Sequence, residues 1–168
     1  YSQRKAPILI VSSYNPEAAS MSNCISDFMD AYKMKEDDRA VIVENMNCRA
    51  LSESSQWVKV MRFILSKYEN MEMKPAIMIL LGQEAWVSYL SQPISDLKEI
   101  PVMCGMVSNE VVHLPDGNFN PSEIEPQCYD IIPYAKKYNV VGGFLYKYDL
   151  EKNIQLVKQY YPKTKQLA

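Results

Sequence analysis

Four short apolar runs, the first three each followed by a stretch of helical periodicity, constrain this chain more than any other feature. The runs occupy residues 7–13, 39–46, 75–81 and 100–106. They are rich in Ile, Val, Leu and Met and show little alternation, which is the pattern of strands covered on both faces. After the first run, Met21, Cys24, Ile25, Phe28, Met29 and Tyr32 recur at three- and four-residue steps. After the second, Trp57, Val60, Met61, Ile64, Leu65 and Tyr68 do the same. Each set makes one apolar helix face. Strand-helix units in series predict an open, mostly parallel, doubly wound α/β sheet with right-handed crossovers and helices on both faces.

Local signals place the element ends. Asn15 and Pro16 read as the cap and first residue of the first helix. Ser52 reads as the cap of the second, with Glu53 at its positive end. A shorter helix spans 82–90, and Pro93 closes it. The rhythm then breaks: residues 108–126 hold Pro115, Asp116-Gly117, Asn118, Asn120, Pro121 and Pro126, which predicts a long loop. Residues 130–138 carry no clear pattern, 139–146 read as a strand, and Asp149 caps a last helix with Leu150, Ile154, Val157 and Tyr161 on its apolar face. Pro162 stops that helix. The ending "KTKQLA" reads as another strand opening, and the chain starts at Tyr1 rather than methionine, so the expectation is a piece of a longer protein.

Composition narrows the function classes. The 168 residues are 48% hydrophobic and 23% charged, enough for a real core. With 18 basic and 20 acidic residues and no basic run, a nucleic-acid surface is not expected. No run of about eighteen apolar residues exists to span a bilayer. Cys24, Cys48, Cys104 and Cys128 form no C-x-x-C pair, and His113 is the only histidine, so no metal site is expected. The even cysteine count permits disulfides without requiring them.

In open α/β sheets, ligands bind beyond the carboxyl ends of the strands. The first strand ends in Ser12, Ser13, Tyr14 and Asn15, and the second in Asn45, Met46 and Asn47. The third ends in Gly82, Gln83 and Glu84, and the fourth in Gly105, Met106, Val107, Ser108 and Asn109. Each Ser or Asn alone reads best as a helix cap. Together they make a rim that can orient a small polar molecule. The site residues expected are Ser13, Tyr14, Asn15, Asn45, Gln83, Glu84, Gly105, Met106 and Val107. Tyr14 and Trp86 are the expected aromatic walls.

Several chemistries lack their residues. The first turn has no glycine, so the G-x-G-x-x-G needed for pyrophosphate approach is missing, as is a P-loop. A phosphoryl-accepting receiver would need paired acids after strand one and an aspartate ending strand three, where Ser12-Ser13 and Leu81-Gly82 stand. His113 reads as a surface or packing residue. Glu44 and Glu84 would form an acid-base pair only if the fold joined them. Met21, Met29, Met61, Met78 and Met103 read as core filling. No cofactor is expected.

The segments "ILIVSSYNPE", "VIVENMNCRAL", "PAIMILLGQEAWVSYL", "IPVMCGMVSNE" and "NVVGGFLYKYDLEKNIQLVKQYYPKTKQL" follow one another in an order that resembles the ABC-transporter substrate-binding-like proteins, relatives of type I periplasmic binding proteins. In particular they resemble the extracytoplasmic sensor regions of bacterial histidine kinases, including hybrid kinases. The resemblance implies a Rossmann/flavodoxin-like lobe over residues 1–138, with 139–168 as the crossover and start of a truncated second lobe. It implies a periplasmic sensory module of a membrane-anchored protein that binds a small polar ligand without chemistry. Apolar surface facing the second lobe would favour a homodimer of the isolated lobe. The alternatives are a solute-binding subunit of an ABC-type importer and a small flavodoxin-like enzyme using Glu44, Glu84 or His113.

Overall fold

The computed structural model of the protein describes residues 5–17, 19–33, 35, 38–97, 99–115 and 127–163. The turn formers of 116–126 and the expected final strand beyond Lys163 lie outside the described residues.

β1 (Ile8–Ser12), β2 (Val41–Asn45), β3 (Ile77–Leu81), β4 (Val102–Ser108) and β7 (Val140–Tyr146) form one five-stranded sheet in the order β2-β1-β3-β4-β7. Every neighbouring pair is parallel. The helices α1 (Ala19–Lys33), α2 (Ser54–Glu69), α3 (Gln83–Leu90) and α4 (Leu150–Tyr160) punctuate it. The expected open, doubly wound sheet is what forms. The strand expected over 139–146 forms as β7, the edge strand beside β4.

Alternate side chains of the buried strands serve two cores. Leu9, Val11, Met78, Leu80, Val102 and Cys104 meet Met61, Ile64 and Leu65 of α2 and Ala85, Trp86 and Leu90 of α3. Ile8, Ile10 and Leu81 meet Met21, Ile25 and Phe28 of α1 on the other face. β1 is buried along its whole length, which explains its unbroken apolar run. The chain steps from β1 outward to β2 and then back across to β3. The direction reverses between β1 and β3, and helices leave the two strands on opposite faces.

Two caps differ from expectation. Asn15 does not start α1: its side chain accepts the Glu17 N–H at 3.0 Å, an Asx turn that delays the helix to Ala19. Glu53, not Ser52, is the cap of α2, and its N–H donates to Gln56 Oε1 at 3.2 Å in the reciprocal manner of a capping box. Asp149 caps α4 as expected, accepting the Lys152 N–H at 2.9 Å.

The loop expected over 108–126 is partly ordered. β5 (Glu110–Val112) pairs antiparallel with β6 (Cys128–Asp130). A 3₁₀ helix, Ile132–Tyr138, fills the patternless stretch. The apolar stripe of α4 behaves differently from those of α1 and α2. None of its residues is buried, and Leu150 and Tyr161 are exposed, as are Phe144, Tyr146 and Tyr148 nearby in sequence.

Candidate functional site

The parallel register draws the strand ends to one line. Asn45, Ser12, Leu81 and Gly105 are successive partners across β2, β1, β3 and β4. The pairing continues one step further: Ser13 N–H donates to the Leu81 carbonyl at 2.9 Å, and Gly82 N–H to the Gly105 carbonyl at 3.1 Å. All nine residues expected at the site therefore stand along the carboxyl edge of one sheet. Most fall into two groups; Asn15, in its turn with Glu17, and Gly105, paired within the sheet, belong to neither.

The first group closes the crevice between β1 and β3. Gly82 precedes α3 with φ of 97° and has no side chain with which to cap it. Ser13 supplies the missing acceptor from the neighbouring strand: its Oγ takes the Ala85 N–H at 2.9 Å. Both residues are buried in doing so. Tyr14 then reaches over the crevice, and its hydroxyl donates to the Glu84 carboxylate. Arg49 lies 5.7 Å from the centre of the Tyr14 ring. Ser12 Oγ donates to the Tyr14 carbonyl at 2.7 Å, and Asn45 accepts the Asn47 N–H at 2.8 Å. These corners are held mainly by one another.

The hydrogen bond to Glu84, then burial and the charge of Glu84, push the Tyr14 hydroxyl up to about 12 from an ordinary 10.0. The folded state keeps this proton where the unfolded chain loses it. The resulting contribution to stability is complete below pH 10.0 and drains as pH rises toward about 12. Tyr68, Tyr89 and Tyr129 are raised as well, so they share the alkaline loss. Tyr14→Phe is expected to flatten the decline without abolishing it. Urea unfolding of both chains at pH ~8 and pH ~11 checks this, and an unchanged decline would contradict the Tyr14–Glu84 contact.

The second group opens a cavity of about 470 Å³ at the ends of β4 and β7, lined by Gln83, Met106, Val107, Ser108, Glu110, Cys128, Tyr146 and Tyr148. Gln83 braces its floor: Oε1 accepts the Ser108 N–H at 2.7 Å and Nε2 donates to the Glu110 carbonyl at 3.4 Å. Met106 sits at φ 58°, beside a register shift between β4 and β7. Sequence reasoning reached Gln83, Met106 and Val107. Glu110, Cys128, Tyr146 and Tyr148 were not expected in the wall: the strands of Glu110 and Cys128 are three residues long and leave too short an alternation to read, and Tyr146 and Tyr148 lie at and beyond the end of an edge strand that nothing local ties to this corner.

Three expectations are corrected or resolved here. Trp86 does not line the rim cavity: it is buried, and its Nε1–H donates to the Ser108 carbonyl at 3.2 Å from within the core. Glu44 and Glu84 have separate partners. Glu44 accepts from Lys67 Nζ and from the Tyr68 hydroxyl, each at 2.5 Å, whereas Glu84 holds Tyr14. Burial pushes Glu44 up, but those two hydrogen bonds outweigh it and its pKa is lowered. His113 stacks on Tyr129 at 5.1 Å between ring centres, a packing role.

All four cysteines are free. Burial first, and then the charge of Glu84, push Cys48 up to about 12, and burial pushes Cys104 up to about 11. Neither is a thiolate near neutral pH. Among the described residues no cluster of three His, Cys, Asp or Glu could hold a metal ion, and no helix is long and apolar enough to cross a membrane.

The class that these observations define is an open, doubly wound, Rossmann/flavodoxin-like α/β domain with a polar rim at the strand carboxyl ends. No protein-family model, curated protein or solved structure matches the chain.

Proposed function

We propose that this chain is the extracytoplasmic ligand-sensing domain of a two-component sensor (hybrid) histidine kinase, a lobe of type I periplasmic binding-protein kind. It binds a small polar ligand at its rim and passes on occupancy without transforming the ligand. The observation that carries the reading is the register-aligned rim with the cavity at its β4/β7 end. That is the place where open α/β sheets receive ligands. The internal bracing by Ser13, Tyr14, Gln83 and Glu84 supports it, since preorganised walls reduce the ordering cost of binding. The uncovered apolar side chains of β7 and α4 fit a lobe that packs against a further layer or a second copy.

Cys128 provides the test. It is the exposed cysteine and it lines the cavity, whereas Cys48 and Cys104 are buried and the half-buried Cys24 is replaced by Ser for the test. A thermal-shift screen of amino acids, sugars, nucleobases and amines is expected to give at least one compound that raises Tm. The same compound should slow alkylation of Cys128 by a maleimide, and prior alkylation should abolish the shift. Stabilisation that survives alkylation would move the site elsewhere. Conversion of the compound to product would contradict binding without chemistry.

A further inference from the structure

We infer that the cavity at the end of β4 and β7 selects a small organic cation with a flat apolar body, an arylalkylammonium. This rests on the reading of the rim as a ligand site and deepens it. Part of the neutral polar wall is already committed. The Gln83 amide is held by Ser108 and Glu110 backbone, and Ser108 Oγ accepts the Glu110 N–H at 3.1 Å. A guest would also meet Glu110, Tyr146, Tyr148 and Cys128, with apolar surface from Met106 and Val107. Among the described residues Glu110 is the sole charged one in that wall.

A second observation strengthens the sign. Glu110 stands directly opposite Asp130 in the antiparallel β5/β6 ribbon. Like charges in facing positions repel, and no ion pair with a lysine or arginine offsets either carboxylate among the described residues. Asp130 spends one oxygen on the Ile132 N–H at 2.9 Å. Tyr146 and Tyr148 are 58% and 67% exposed, so ring surface is free to meet a cation. An ammonium placed here gains both attractions. A carboxylate or phosphate would face Glu110, with no basic residue among the described wall residues to receive it.

Three probes share one ring and differ in charge: benzylammonium, benzyl alcohol and benzoate. Binding is read by calorimetry and by protection of Cys128 from alkylation. Benzylammonium is expected to bind about fivefold or more tightly than benzyl alcohol, with benzoate weakest. Glu110→Gln should collapse that order, and Tyr148→Leu should weaken the cation more than the alcohol. Equal binding of cation and alcohol at Cys128, or a preference untouched by Glu110→Gln, overturns the inference and leaves the rim standing as a site. Failure of all three probes to bind or protect overturns the inference and the ligand-site reading together.

Discussion

Trp86→Ala is expected to lower the unfolding free energy by about 4 kcal/mol, the cost of emptying a large buried aromatic site. Trp86 is buried in the core on the α2/α3 face of the sheet. Its indole N–H also occupies the Ser108 carbonyl, whose N–H is taken by Gln83. The substitution therefore leaves a cavity and an orphaned acceptor at the same strand end. Trp86→Phe separates the two effects: it keeps most of the ring and should cost about 1–2 kcal/mol, chiefly for the lost hydrogen bond. Chemical denaturation measures both. A Trp86→Ala cost under about 1.5 kcal/mol would mean that the ring is not packed as described. Because Ser108 lines the cavity, Trp86→Ala should also weaken any rim ligand, although Trp86 itself belongs to the core.

The second large effect belongs to Gly82→Ala, expected to cost about 3 kcal/mol from backbone strain and overpacking combined. Gly82 has φ of +97°, which L side chains rarely adopt. An added Cβ would fall 2.5 Å from Ser13 Oγ and 2.8 Å from Ser13 Cβ. Ser13 cannot simply turn away, since its hydroxyl holds the Ala85 N–H at the start of α3. Ser13→Gly in the same chain tests the cause. It removes both clashing atoms, so Gly82→Ala should then cost less, with the φ component remaining. An identical penalty in both backgrounds would show that the β1–β3 approach is not what excludes a side chain.

The two substitutions also mark what the sequence could and could not convey. The strands were legible because burial on both faces leaves an unbroken apolar run, as in β1 and β3. Parallel topology followed from the alternation with amphipathic helices. Trp86 misled because Ala85 to Leu90 are buried without exception, so α3 offers no polar face from which to read orientation. The start of α1 misled because Asn15 satisfies a nearby turn rather than the helix. The rim was visible as polar residues after each strand. Its partnerships were not: Tyr14 meets Glu84 and Ser13 meets Ala85 across 70 and 72 positions of sequence, and no local pattern encodes such pairs. The outer cavity wall was hidden for a further reason. Glu110, Cys128 and Tyr146 come from three separate strands, two of them only three residues long.

The most direct measurement is a methyl NMR titration of the chain's methionines with the compound that stabilises it best. The account predicts that the Met106 methyl, in the wall at the end of β4, shifts with saturation. Met61, on the buried face of α2, and Met78, within β3, should hold still. Shifts confined to other methionines, or none at Met106 while the protein is saturated, would contradict a guest held at the carboxyl ends of the strands.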